Sequence, residues 1–225
     1  MVAVDGPSGA GKSSTARAVA TALGLRYLDT GAMYRAVTWA VLERGVDPTD
    51  SAAVTAVADA VVLRSGTEPA APTITVDGVD VSDLIRGPEV TAAVSAVSAV
   101  PDVRRRMVRQ QRELVEAASG HEGIVVEGRD VGSVVLPHAQ LKIFLTADVG
   151  ARAQRRTAQD GGRVSASDVV RADLDRRDRL DSSRPVSPLV RADDGVDLDT
   201  TDLTLQQVVD RVVGLVRAVA ADGSR

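Results

Sequence analysis

Cysteine is missing from this chain altogether. That absence excludes disulfide bridges and thiolate zinc sites, and the only two histidines, His121 and His138, stand too far apart in sequence to suggest a structural metal site. Lysine is almost missing too. Lys12 and Lys142 are the only two, so arginine carries nearly all the positive charge and Lys12 stands out. A basic excess is also lacking: the net charge of −4 argues against general affinity for nucleic acid or for anionic membranes. There is no run of about twenty apolar residues to cross a bilayer. The first apolar stretch is interrupted by Asp5 and the glycines after it, too early for a signal peptide, so a cytoplasmic location is expected.

What is present is sufficient for a core. With 225 residues and 44% hydrophobic content, one ordinary domain with an insertion is expected over residues 1–225. Its opening stretch organises the rest. Val2 to Asp5 is an apolar run fit for a buried strand, and Gly6-Pro7-Ser8-Gly9-Ala10-Gly11-Lys12-Ser13 satisfies G-x-x-x-x-G-K-[ST] at every fixed position. A helical pattern follows through Ala16, Val19, Ala20 and Leu23. A loop so placed turns backbone N–H groups toward a phosphate at a helix N-terminus, where the dipole already favours negative charge. Lys12 can reach the outer phosphates, the helical pattern begins at Ser13, and the Ser13 hydroxyl can ligate Mg²⁺. An ordinary Gly-rich turn would not need all four fixed positions between a strand and a helix.

Further along, strands and helices alternate. Leu25 to Asp29 reads as a strand, Met33 to Leu42 as an amphipathic helix ending by Gly45, and Ser51 to Val61 as another helix. Thr73 to Val81 alternates about Asp77-Gly78, a hairpin signal that interrupts the alternation. A basic helix follows Pro101. Ile124 to Glu127 and Leu141 to Leu145 have the look of central parallel strands, Ser165 to Arg179 is helical and charged, and a weaker strand at 195–199 precedes a closing helix at 203–221. This order implies an α/β fold, a doubly wound parallel sheet with helices on both faces. Ligands of such sheets bind beyond the carboxyl ends of the strands, where Gly6 to Ser13, Asp29-Thr30, Glu127 to Asp130 and Thr146 to Asp148 all fall.

A phosphate loop alone fits GTPase switches, ATPases, sulfotransfer enzymes and small-molecule kinases. No Asn-Lys-x-Asp segment is present to read guanine, and Val125-Val126-Glu127-Gly128 lacks the adjacent acids of an oligomeric ATPase. A kinase for another small acceptor, such as UMP, dTMP or shikimate, and a nucleotide-binding switch remain the competing classes. Three segments narrow the choice: Asp5 to Ser13, Leu28-Asp29-Thr30-Gly31-Ala32-Met33-Tyr34-Arg35, and Glu127-Gly128-Arg129-Asp130-Val131-Gly132-Ser133. Together with the Leu-Asp-Thr-Thr stretch before the last helix, they closely resemble the bacterial cytidylate kinases, P-loop nucleoside monophosphate kinases, over nearly the whole chain.

The resemblance implies transfer of the γ-phosphoryl group of ATP to CMP or dCMP, with Mg²⁺ as cofactor, by a monomer with no nucleic-acid or membrane partner. It implies an inserted nucleoside-monophosphate-binding region at about 35–101, containing the small antiparallel sheet, and a lid at about 152–165. Phosphoryl transfer needs positioning and neutralised charge more than a strong base, so arginines are expected to crowd the site. By resemblance Lys12, Arg129, Arg177 and Arg184 are the catalytic cations; Gly6 to Ser14 with Arg152 and Arg156 bind ATP. Thr30, Tyr34, Arg35, Ser95, Arg104, Arg129, Asp130, Arg177, Asp181 and Arg184 bind CMP. Cytosine offers an N4 amino donor where uracil offers O4, so a carboxylate at Asp130 favours C over U. Ser95 and Arg104 complete the base contacts, and Asp181 is directed to the ribose. Ser13 is the direct Mg²⁺ ligand, with Glu127 acting through water.

Overall fold

The computed structural model describes residues 1–118, 120, 123–159, 167–184 and 186–222. The chain forms two compact units, one of Met1–Leu25 with Val125–Arg225 and one of Arg26–Ile124. The first unit begins with β1 (Val2–Asp5), buried along its whole length, and α1 (Lys12–Leu23), which buries Ala16, Val19 and Ala20 on one face as their spacing requires. Gly24 ends α1 in the left-handed conformation, φ 65°, and its N–H is bonded to carbonyls of the last turn.

The second unit opens with β2 (Arg26–Asp29) and α2 (Thr30–Glu43). Asp29 caps α2, its carboxylate accepting the Ala32 N–H at 2.8 Å. Asp50 does the same for α3 (Ser51–Ala60), accepting from Ala52 and Ala53. Next come β3 (Leu63–Ser65), β4 (Ile74–Val76) and β5 (Val79–Asp80), an antiparallel sheet in that order. The turn between the last two has φ 51° at Asp77 and 86° at Gly78, so both central residues adopt the positive angles that the Asp-Gly pair foretold. A 3₁₀ turn at Leu84–Arg86 leads into α4 (Pro88–Ala99), and α5 (Pro101–Ala118) follows. Sequence reading left Ala92 to Val100 unassigned. Its alanines, valines and serines give no contrast between faces, and it is packing against α2 that makes it a helix.

The chain re-enters the first unit along β6 (Ile124–Glu127), turns through a π-helical loop at Val131–Val135, and continues as β7 (Leu141–Thr146), α6 (Val149–Gln159), α7 (Ser167–Ser182), β8 (Val196–Asp199) and α8 (Leu205–Asp222). The strands of this unit lie parallel in the order β6-β1-β7-β8. Strand β1 therefore has β6 on one side, Val4 opposite Glu127, and β7 on the other, Val4 opposite Ile143. With β6 and β7 on its opposite sides, β1 marks the switch point at which a doubly wound sheet opens a crevice beyond its carboxyl ends. The phosphate loop, the 128–130 segment and the start of α6 emerge at that edge. Helix α1 packs on α8, and α6 packs on α7 through Ala153, Val170 and Leu174. Residues 160–166, with Gly161, Gly162 and Arg163 of the expected lid, lie outside the described residues. So do His121 and Pro185.

Two glycines permit a calibrated test of the loop. Gly6 has φ 147°, and a Cβ there would stand 2.1 Å from the Leu145 carbonyl oxygen, whereas Gly24 faces open space. Gly6→Ala is expected to lower unfolding stability by about 3 kcal/mol or more through the backbone clash. Gly24→Ala meets only the left-handed penalty, about 1 kcal/mol. Urea titrations of the two variants check the difference, and equal losses would contradict this account of the loop.

Candidate active site

The first unit gathers most of the expected residues around the Gly6–Ser13 loop. Gly9 and Gly11 have φ 79° and 88° and Gly6 the angle given above, a conformation open to the loop only because these positions carry no side chain. A Cβ on Gly9 would also press on Arg152 at 3.1 Å. Gly11 is the N-cap of α1 and offers no side-chain acceptor of its own to the first amides of the helix. Lys12 folds back over the loop and donates to the Pro7 carbonyl at 2.9 Å. The Ser13 hydroxyl, in the first turn of α1, donates to Oε2 of Glu127, at the end of β6, at 2.9 Å, which places a hydroxyl and a carboxylate side by side as oxygen donors.

Guanidinium groups surround the loop. Arg129 donates to the Gly6 carbonyl and the Ser8 hydroxyl, both at 3.0 Å, and through Nε to Asp181 at 2.9 Å. Arg152 donates to the carbonyls of Ala147 and Ser8, both at 3.1 Å, and pairs with Asp178. The other oxygen of Asp178 accepts the Ser8 N–H at 3.2 Å, so one carboxylate and one guanidinium hold both sides of this loop residue. Arg184 is buried against Asp181, bonded to its carbonyl at 3.2 Å. Arg177 is also buried, and its Nε has no hydrogen-bond partner among the described residues.

The electrostatics reflect this crowding. Burial pulls the Lys12 ammonium down to about 7 and Arg129 adds to the pull, while Glu127, Asp5 and Asp178 oppose it. Burial lowers Arg177, which also faces Arg129 and Arg156; Asp181 and Asp173 oppose those charges. Asp181 sits below the usual carboxylate range: burial, its largest single influence, pushes it up, and the combined pull of Arg129, Arg184 and Arg177 outweighs that. Asp5 behaves in the opposite way. Its carboxylate accepts the N–H groups of Val131 and Gly132 at 2.9 and 2.7 Å, yet burial pushes it up to about 6, with help from the charge of Asp130.

In the second unit Tyr34, on α2, carries the guanidinium of Arg104, from α5, 5.2 Å above its ring centroid. Arg104 is buried and donates to the Ser98 carbonyl at 3.0 Å, and Ser98 in turn donates to the carbonyl of Ser95. Thr30 is buried at the start of α2. Arg35, also on α2, donates to the Ile85 carbonyl and the Thr91 hydroxyl at 3.0 Å each. Sequence reasoning missed Asp178 and Thr200. The hydroxyl of Thr200 bonds the carbonyls of Ala10 and Thr146, and Arg155 donates to it, so Arg155 is a brace for the end of β8. Neither residue announces itself: Asp178 stands in a charged run, and Thr200 in a stretch noted only for its resemblance.

A glycine loop at a sheet switch point, cradled by lysine and arginines, defines a P-loop protein of the kinase fold. Two solved structures share the whole architecture: an uncharacterized protein from Eubacterium ventriosum (TM-score 0.53, 13% identity, 96% of this chain and 97% of that one) and a sugar kinase from a Janibacter species (TM-score 0.51, 17% identity, 97% and 96%). The sequence narrows this further. The cytidylate kinase family model matches residues 2–218. The cytidylate kinase of Streptomyces avermitilis is 59% identical over 218 residues, 96% of this chain and 92% of that protein, and that of Corynebacterium glutamicum 54% over 222 residues, 98% and 95%. The chain belongs to the cytidylate kinase family.

The raised Asp5 carries a pH signature. Between pH 3.8 and about 6 the folded protein holds a proton on Asp5 that the unfolded chain has released, so this group's contribution to stability falls as pH rises through that window. Relative to Asp5→Asn, the unmodified chain is expected to lose up to roughly 3 kcal/mol between about pH 4 and about pH 7. Urea unfolding of both proteins across the range measures it. A pH-independent difference would show that the two N–H donors outweigh burial.

Proposed function

We propose that the chain transfers the γ-phosphoryl group of ATP to CMP or dCMP, giving ADP and CDP or dCDP, as a cytoplasmic monomer in pyrimidine nucleotide metabolism. The observation that carries this reading is the enclosed positive charge of the first unit. Arg177 is buried beside other guanidiniums with a donor that meets no partner among the described residues, an arrangement that favours an incoming phosphate. Backbone amides of Gly6 to Ser14, with Lys12, Arg152 and Arg156, hold the ATP phosphates. Anionic phosphate restores the Lys12 charge that burial weakens. Arg129, Arg177 and Arg184 offset the repulsion between donor and acceptor phosphates and the charge spread over the transferring group.

On the acceptor, Thr30 and Arg35 take the monophosphate, Tyr34, Ser95 and Arg104 the base, Asp181 the ribose and Asp130 the cytosine amino group. The insert at about 35–101 carries Arg35 and Ser95 of these, and the segment at about 152–165 is the lid that limits hydrolysis by water. Ser13 and Glu127 fit Mg²⁺, because a hydroxyl and a carboxylate already meet there and this ion takes one or two protein oxygens together with phosphates and waters. When bound, it neutralises phosphate charge. Among the described residues no helix is long and apolar enough to cross a membrane.

Coupled ADP release with a panel of acceptors tests the reading. CMP and dCMP should exceed UMP, dTMP and shikimate by at least about tenfold in kcat/KM. Slow hydrolysis with no acceptor phosphorylated would indicate a nucleotide switch. Lys12→Ala is expected to lower turnover about 10³-fold with every acceptor, whereas Asp130→Asn should cut the CMP-to-UMP ratio about tenfold. An unchanged ratio would remove Asp130 from the base site.

A further inference from the structure

Segment 128–132 holds two of the residues just discussed, Arg129 and Asp130, and it is fixed at both ends by the same strand. At one end the Gly128 N–H donates to the Val4 carbonyl at 3.0 Å, continuing the ladder between β1 and β6. At the other, the N–H groups of Val131 and Gly132 donate to the two oxygens of the Asp5 carboxylate, one each, at 2.9 and 2.7 Å. All of this is enclosed: Asp5 is 5% exposed and Asp130 5%. A third constraint comes from β7, because a Cβ on Gly132 would stand 3.2–3.3 Å from the side chain of Lys142. Between the two fixed points only Arg129 and Asp130 are left, at the carboxyl edge of the sheet.

We propose that Asp5 is a positioning residue for acceptor choice: by taking both N–H groups it sets the loop that presents Asp130, and so acts on the discrimination of cytosine from uracil without touching the base. This rests on the reading of Asp130 given above. The chemistry demands a carboxylate. Two backbone donors converge on one side chain, and only a group with an acceptor at each oxygen satisfies both. Asparagine keeps the size but turns an NH₂ toward one of the N–H groups, leaving a buried donor unmet and the loop free to rotate about the remaining bond. Asp5 and Asp130 also repel each other, so the bidentate bond keeps near each other two acids that would otherwise separate. Strand β1 then does two tasks with adjacent residues: Gly6 opens the phosphate loop, and Asp5 fixes the segment opposite it.

The test is a comparison of Asp5→Asn and Asp130→Asn in the full chain, with kcat and KM for CMP, UMP and ATP measured for each. The ratio of kcat/KM for CMP over UMP is independent of how much enzyme is folded, so loss of stability alone cannot move it. For Asp5→Asn this ratio is expected to fall at least tenfold and KM for CMP to rise about tenfold, with KM for ATP within about twofold of the unmodified chain. If Asp130→Asn relaxes the ratio and Asp5→Asn does not, the positioning role is overturned while the reading of Asp130 stands. If neither variant changes it, the reading of Asp130 itself fails. Equal rises in KM for ATP and CMP with Asp5→Asn would reduce Asp5 to general support of the phosphate loop and overturn the proposal.

Discussion

Positive charge held away from water is the constraint on which the first unit depends. Removing a guanidinium or ammonium from solvent costs several kcal/mol even after relaxation, and here Lys12, Arg152, Arg177 and Arg184 are all buried near one loop. Asp181 and Asp178 answer part of that charge, Asp181 paired with Arg129 and Arg184 and Asp178 with Arg152. The remainder shows as a weakened Lys12 and a buried Arg177 donor without a partner among the described residues. A protein selected for stability alone would put apolar side chains there. The arrangement makes sense for a site whose ligands bring more negative charge than the protein supplies.

Loop geometry and charge are coupled through a few backbone groups. Ser8 is gripped at its N–H by Asp178 and at its carbonyl by Arg152, which stand on α7 and α6, the two helices flanking residues 160–166. Gly6 and Ser8 are also bonded by Arg129, which answers to Asp181 on α7. Movement of these helices therefore reaches the phosphate loop through defined bonds, without any need for the sheet to deform. The sheet supplies rigidity instead: β1 is buried throughout and paired on both sides.

Much of this was legible in the residues. The Gly6–Ser13 pattern, the Asp77-Gly78 hairpin and the apolar runs of β1, β6 and β7 gave their elements almost to the residue, because each depends on local backbone demands or on full burial. Helix α4 was not legible, since small residues on every side carry no periodic contrast and packing against α2 decides the outcome. The cluster around the loop was partly legible: Lys12, Ser13, Glu127 and Arg129 belong to recognisable segments. Asp178 and Thr200 were not, for their importance lies in partners 26 to 190 residues away in sequence. Asp5 stood in plain view within the first segment, but nothing about a carboxylate at a strand end tells which amides it will hold.

The scarcity of lysine has a consequence for the outer surface. Lys12 is enclosed by the phosphate loop, and Lys142 is enclosed between the Pro137 carbonyl and Asp194, at 2.6 and 2.7 Å. Neither side-chain amine is presented to solvent. The outer surface thus carries no lysine handle, and apart from His138 and the Met1 amine its exterior cations are guanidinium, which keep their charge at any pH a cell can reach.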